Sequence, residues 1–254
     1  MSFISGPESS TDPKAVQARA WNLIPADIAS VAVSPIPANP FIWLRADTLV
    51  SAGGLVSAWT DKSANGNTPT AAGAARPTLQ AAAINGQPAV VFDGLGNFLQ
   101  WAALDKSGLG VGFTLLFVFQ PTPDGGGIAA GNIFTLSGAS PWSLFQNSNV
   151  NFGVFDGGVC MSTDIGNVNA WMAFEYSQAG NATVPSFWNG NASVPGDNPV
   201  TTPPATNTFD ALGSFTAGSF FYLGRIAEFV MYKRQLLPAE RAQWLAYVFG
   251  RYAI

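Results

Sequence analysis

FTLLFVF, residues 113–119, is the stretch that decides the fold. It is apolar at nearly every position, and five of its seven residues are aromatic or β-branched. A strand buried on one face alternates apolar and polar side chains, whereas a run without alternation belongs to a central strand covered on both sides. Seven residues are also far too few to cross a bilayer. The chain around this run is therefore expected to build a sheet with a layer on each face.

Outward from this run the rhythm repeats. Short segments rich in aromatic and β-branched residues alternate with clusters of Gly, Asn, Pro and Asp. The expected strands are residues 41–45, 89–92, 98–101, 113–120, 133–137, 143–146, 151–155, 171–177, 186–188, 220–223 and 226–232. Such spacing, with little helical periodicity, signals an all-β sandwich or barrel. The C-terminus is the exception. Pro238 opens PAERAQWLAYVFGRYAI, where Trp244, Leu245, Val248 and Phe249 recur at helical spacing, with Gly250 suited to the end. This helix is expected to lie against the sandwich and close it.

Residues 1–40 read as an extended N-terminal arm and linker, and residues 41–254 as the β-sandwich domain. Asp12-Pro13 suits a helix start. Val16, Ala20 and Leu23 then share one helical face beside Trp21. Residues 28–33, apolar and carrying Ile28, Val31 and Val33, could add to a sheet edge. Pro35, Pro37 and Pro40 enforce an extended link. Val16, Trp21, Ile28, Val31 and Val33 are the candidate assembly contacts, made either to the chain's own domain or to a neighbouring subunit.

Composition excludes more than it assigns. The 254 residues include no histidine, which removes imidazole general acid–base chemistry, Ser–His and Cys–His pairs and imidazole metal sites. The single Cys160 cannot form a disulfide within the chain and reads as a small apolar filler of the core. No Lys or Arg lies between Lys106 and Arg225, and the net charge is −4, so a nucleic-acid partner is not expected. The low charge argues equally against electrostatic membrane binding. The N-terminal MSFISGPESSTDPK has no basic and apolar leader pattern, so synthesis in a cytoplasm without a signal peptide is expected. Asn181-Ala-Thr183 and Asn191-Ala-Ser193 match the glycosylation sequon and read as chance matches.

Several ordered segments resemble a known family. Phe41 to Asn67 (FIWLRADTLVSAGGLVSAWTDKSANGN) resembles the opening of concanavalin A-like lectin/glucanase domains of the laminin-G-like kind, with Trp59, Asp61, Ser63, Asn65, Gly66 and Asn67 in a WxDxSGNGN-type turn. Ala64 stands where glycine is usual. Arg76-Pro77-Thr78, then Asn85-Gly86-Gln87-Pro88-Ala89-Val90-Val91-Phe92-Asp93-Gly94, follow in the family's order. Trp188-Asn189-Gly190, Arg225-Ile226-Ala227-Glu228 and Leu237-Pro238-Ala239-Glu240-Arg241 resemble its later strands and closing helix. The resemblance runs over residues 41–254. It implies an all-β jelly-roll of two antiparallel sheets and no single function, because this sandwich carries lectins, glycanases, adhesion modules and virion proteins.

Glycosidases need two carboxyls about 5–9.5 Å apart, and the glucanase branch presents them from one strand as E-x-D-x-E. No such pattern occurs; after Asp12 the closest acids, Asp156 and Asp164, are eight apart. Gly108-Leu109-Gly110-Val111-Gly112 precedes a strand, so it reads as a turn rather than a phosphate loop. Asp93 to Asn97 and Asp156 to Gly158 offer oxygens for calcium, yet Gly beside Asp is ordinary turn chemistry. Trp43, Trp171 and Trp244 fall in strand or helix patterns and are expected in the core. Trp142, after Pro141, and Trp188, before Asn189, are the candidates for a sugar-binding surface together with Asn189.

The expectation from sequence is a non-catalytic, non-enzymatic structural protein of a bacteriophage virion, a head decoration or a fibre. Its partners would be other capsid or tail subunits and itself, with no cofactor and no metal. The alternative is a monomeric carbohydrate-binding module, with or without calcium, acting on cell-surface glycans.

Overall fold

A computed structural model of the 254-residue chain describes residues 34–122, 131–136, 142–147, 151–162, 169–203, 209–215 and 219–254. The proposed arm contacts Val16, Trp21, Ile28, Val31 and Val33 lie outside the described residues. The sandwich unit spans Ile36–Ile254.

The strands, in chain order, are β1 (Ile42–Ala52), β2 (Leu55–Asp61), β3 (Thr78–Ile84), β4 (Gln87–Asp93), β5 (Leu99–Trp101), β6 (Phe113–Pro121), β7 (Gly131–Leu136) and β8 (Trp142–Gln146). They continue with β9 (Phe152–Phe155), β10 (Val159–Met161), β11 (Met172–Gln178), β12 (Ser186–Asn189), β13 (Ala192–Pro195), β14 (Asp210–Leu212) and β15 (Leu223–Tyr232), followed by helix α1 (Pro238–Tyr252). Two sheets form, of nine strands (β1-β2-β3-β4-β15-β6-β11-β12-β13) and six strands (β10-β9-β8-β7-β14-β5). The named strand pairs are all antiparallel. The all-β, two-sheet sandwich with a C-terminal helix is therefore the fold of this chain.

β6 explains the uninterrupted FTLLFVF run. It lies between β15 and β11, with Leu115, Phe117 and Phe119 in the core between the sheets. Leu116 and Val118 face the other way, into a second core that Trp244, Leu245, Val248 and Tyr252 of α1 complete. The protein is thus layered as sheet, sheet and helix. The inter-sheet core is a web of rings: Phe117 and Phe229 lie 4.8 Å apart, and Phe152 and Phe174 also 4.8 Å. Such pairs add about 0.5–1.5 kcal/mol each beyond burial. Cys160 is buried in this core as a small filler.

β15 divides one of its edges between two partners. Leu223 to Ile226 pair with β4, and Glu228 to Met231 pair with β1, with a register shift at the changeover. The start of β1 is then locked by the Asp61 turn. The Asp61 carboxylate accepts from the Trp43 and Ser63 amides, the Ser63 hydroxyl and the Asn67 amide. Asn65 and Asn67 donate to the Phe41 carbonyl, and the Trp101 indole donates to the Asn67 carbonyl. The family-like WTDKSANGN segment is thus a hydrogen-bonded knot. Asp61→Ala strands several of these donors and is expected to cost about 2–3 kcal/mol, read as a lowered denaturant midpoint with an unchanged slope.

Two details of α1 differ from the sequence expectation. The helix runs through Gly250 to Tyr252 and ends at Ala253, whose left-handed backbone donates its N–H to the Phe249 carbonyl. Phe249 is 38% exposed, and Tyr252 takes the buried position instead. Residues 220–222 are also not a strand; β15 begins at Leu223. Among the described residues no helix is long and apolar enough to cross a membrane.

Candidate functional site

The nine-stranded sheet has its outer face under α1. The outer face of the six-stranded sheet instead carries a pocket of about 220 Å³, lined by Asn132, Ser143, Phe145, Phe155, Phe215 and Phe220. Strand alternation puts these side chains there. In β8, Trp142 and Leu144 point into the inter-sheet core, so Ser143 and Phe145 point out. In β9, Phe152 and Val154 point in and Phe155 points out. Register sets Ser143 opposite Phe155 and Phe145 opposite Gly153. Gly153 has a steric reason: a Cβ there would meet Phe145 Cζ and Met161 Sδ at 2.6 Å. A bulge in β7 between Asn132 and Phe134 lets both Ile133 and Phe134 enter the core. It leaves Asn132 on the outer side, opposite Phe145.

The loop after β14 forms the rest of the wall. The Gly213 N–H donates to the Ile133 carbonyl, and Thr135 Oγ1 donates to the Ser214 carbonyl. Gly213 has φ +91°, and a Cβ would lie 2.5 Å from Phe92, so glycine is required there. Phe215 donates its N–H to the Ser219 carbonyl. The Phe220 carbonyl accepts the Asn132 backbone N–H at 3.1 Å. The rings then meet edge to face, Phe155 on Phe215 and Phe215 on Phe220, both at 5.9 Å.

Two features of this wall cost the free protein stability. Phe220 sits at φ +53° while 56% exposed, a left-handed backbone that bulky residues rarely adopt. The Ser143 hydroxyl is buried and has no hydrogen-bond partner. Chemically the described lining residues offer four phenyl rings, one amide and one hydroxyl, and none of them is charged.

The candidates read from sequence lie elsewhere. Trp142 is corrected: it is 1% exposed and wedged between Phe113 and Tyr176, at 5.2 and 5.4 Å. The strand begins at Trp142 itself, so alternation sends its side chain inward. Trp188 lies on β12 beneath the Arg241 guanidinium, 3.9 Å from its ring, while Arg241 grips Glu175 through two hydrogen bonds of 2.7 and 2.6 Å. It serves as a seat for α1. Asn189 is half-buried at the turn into β13. Trp142 and Trp188 belong to different sheets and are not brought together. Of the tryptophans expected in the core, Trp244 is buried there, and Trp43 and Trp171 are partly buried against the helix-side cluster.

The strand acids are likewise engaged. Glu228 is fully buried and accepts from Trp43 Nε1 at 2.6 Å, from Tyr252 at 2.6 Å and from Tyr247 at 2.9 Å. In the two calcium-like turns the carboxylates accept hydrogen bonds from the chain itself. Asp93 Oδ1 accepts from the amides of Leu95, Gly96 and Asn97. Asp156 accepts from the Thr201 amide and hydroxyl and from the Gly158 amide. Burial pushes the Asp156 carboxyl up, but these donors outweigh it and hold it below the usual carboxylate range. Gly108 to Gly112 forms a short 3₁₀ turn before β6, as its position implied.

No protein-family model matches the chain, and no curated protein matches it. Solved structures do. Trypanosoma rangeli sialidase in complex with difluorosialic acid aligns with a TM-score of 0.55 and 15% identity over 82% of this chain and 32% of that one. A second T. rangeli sialidase structure aligns at 0.54 and 16% over the same shares. A variant of a GH54 α-L-arabinofuranosidase aligns at 0.53 and 15% over 84% of this chain and 60% of that one. The present chain spans about a third of the sialidase chains it matches. These neighbours are glycoside hydrolases, not virion proteins, which overturns the expectation of a non-catalytic bacteriophage structural protein. The expectation of a non-enzyme falls with it, since the chains sharing this fold are catalytic. What the likeness shows for this chain is the fold: a β-rich architecture shared with parts of sialidase and arabinofuranosidase chains.

Proposed function

We propose that this chain is a concanavalin A-like sandwich that engages carbohydrate, working as part of, or alongside, a glycoside-hydrolysing protein. One observation carries this reading: the outer face of the six-stranded sheet holds a ring-walled pocket with an amide and a hydroxyl among its lining residues. Binding sites for small ligands have this make-up, mostly apolar and aromatic with a few placed polar groups. A half-exposed phenyl such as Phe220 offers a face on which the C–H side of a sugar can lie. The fold neighbours support a carbohydrate setting, and the charge-poor lining favours neutral glycans over nucleic acid.

A glycan array with the full chain, followed by calorimetry on the strongest hit, tests this. Phe220→Ala removes an exposed ring and is expected to weaken binding about tenfold. Phe249→Ala, on the helix side, is expected to leave it unchanged. Binding is expected to persist in a chelator, because Asp93 and Asp156 are committed to their turns. Release of free sugar from the retained glycan is assayed in parallel. A wild-type chain that retains no glycan, or a Phe220→Ala chain that binds as well as wild type, refutes the reading.

A further inference from the structure

The described lining is too poor in polar groups to enclose a sugar ring, which leaves the ring at the mouth against Phe220. A pyranose carries hydroxyls on most of its carbons, and each one buried without a partner costs binding free energy. Among the described lining residues, the polar side chains are those of Asn132, whose amide also reaches the Phe220 carbonyl at 3.5 Å, and Ser143. The volume, about 220 Å³, is also below the roughly 300–1,000 Å³ of sites that swallow whole drug-sized ligands. What fits four phenyl walls is a compact apolar group.

The Ser143 hydroxyl is the independent observation. It is the most buried of the six lining side chains, 1% exposed, and its oxygen has no partner. Buried polar atoms are almost always paired, and an exception in a cavity wall points to a group that arrives later. A pure hydrocarbon would leave this hydroxyl unpaired, whereas a carbonyl oxygen could accept from it. Among the described lining residues none is charged to offset a carboxylate, which favours a neutral incoming group. We propose that this pocket takes a neutral acyl group, an apolar tail with one carbonyl oxygen, carried on the glycan as an N-acyl or O-acyl substituent. This rests on the carbohydrate reading above and narrows it. The strained Phe220 backbone fits the same account: Asn132 donates its backbone N–H to the Phe220 carbonyl, pinning the segment that holds this ring against the pocket.

The test uses the full chain with three probes, followed by amide resonances: benzamide, benzoate and toluene. Benzamide is expected to shift the resonances of Ser143, Phe145 and Phe155 and to bind at least tenfold more tightly than benzoate. Ser143→Ala is expected to weaken benzamide about five- to tenfold, to leave toluene unchanged, and to raise the melting temperature by about 2–4 °C, since it deletes an unpaired buried hydroxyl. Retained glycans are then compared before and after mild base, which removes O-acyl groups, and with their de-N-acylated forms. Loss of binding in either arm supports the proposal and identifies the linkage. Benzoate binding as well as benzamide, or a Ser143→Ala chain with unchanged benzamide affinity, overturns it. If glycans bind equally with and without acyl groups and still depend on Phe220, the acyl proposal fails and the carbohydrate reading stands. If benzamide binds through Ser143 but no glycan is retained, the carbohydrate reading fails and the acyl pocket stands.

Discussion

Lys106→Met is expected to lower the stability of the fold by about 3–5 kcal/mol, read from the denaturant midpoint. Lys106 Nζ lies 2.9 Å from Asp210 Oδ1, and the two side chains are 0% and 1% exposed. The pair joins the loop after β5 to β14 across 104 residues of sequence. Asp210 falls on the same side of β14 as the core residue Leu212, and its side chain is buried. Removing the ammonium takes the opposite charge away from a carboxylate held in a low-dielectric site. The cost is a buried carboxylate deprived of its counter-charge and not the worth of the pair. Replacing both partners by apolar residues, Lys106→Met with Asp210→Leu, is therefore expected to recover most of the loss. A double variant no more stable than the single one would refute this account.

Glu228→Ala is expected to cost about 3–5 kcal/mol, because it strands three donors and opens a cavity under α1. The indole of Trp43 and the hydroxyls of Tyr247 and Tyr252 all converge on this carboxylate. The pH dependence distinguishes this group from a simple packing residue. Burial raises the Glu228 carboxyl above its ordinary value, against the pull of the hydrogen bonds from Tyr252, Trp43 and Tyr247. The folded chain therefore keeps this proton at pH values where the unfolded chain has released it. Its stabilising contribution is complete below the unfolded pKa and is lost as pH rises through the folded one. Glu228→Gln cannot ionise. The stability of wild type relative to this variant is thus expected to fall as pH is raised from about 4.5 towards neutrality, by up to about 1.4 kcal/mol per unit of pKa displacement. A difference that stays flat over that range would show that Glu228 is not displaced.

Strands were legible where their chemistry is strongly biased. The ring-rich and β-branched runs at β4, β6, β8, β11 and β15 stand out because sheet burial on two faces demands them. Five strands carry no such mark. β2 hides inside the Asp61 knot, and β3 (TLQAAAI) is rich in alanine. β10, β13 and β14 are only three or four residues long, and pairing with neighbours holds them rather than their own propensity. The turns at Asp93 and Asp156 were legible because a side chain that caps amides two or three residues on is a local event, whereas the bonds from Thr201 to Asp156 were not.

The candidate site was not legible, and particular residues show why. Phe145 and Phe155 are aromatic residues in strands, and nothing in their local sequence separates a ring on the open face from a ring in the core. Trp142, which precedes them, gave the wrong exposure because it reads as loop after Pro141, whereas its pairing with Leu136 draws it into β8 and into the core. Phe215 and Phe220 come from a loop far along the chain and meet Ser143 only through the β7–β14 pairing. Glu175 and Glu228 likewise reveal their work only when α1 covers the sheet.

From its residues alone this chain was bound to be a layered β-sandwich, because a seven-residue apolar run needs cover on both faces, and to do without imidazole chemistry, because it has none. Which rings line a cavity, which carboxylates are locked under the helix and which hydroxyl is left waiting were decided by register and long-range packing. Those depend on contacts between segments up to two hundred residues apart, and local propensity carries no record of them.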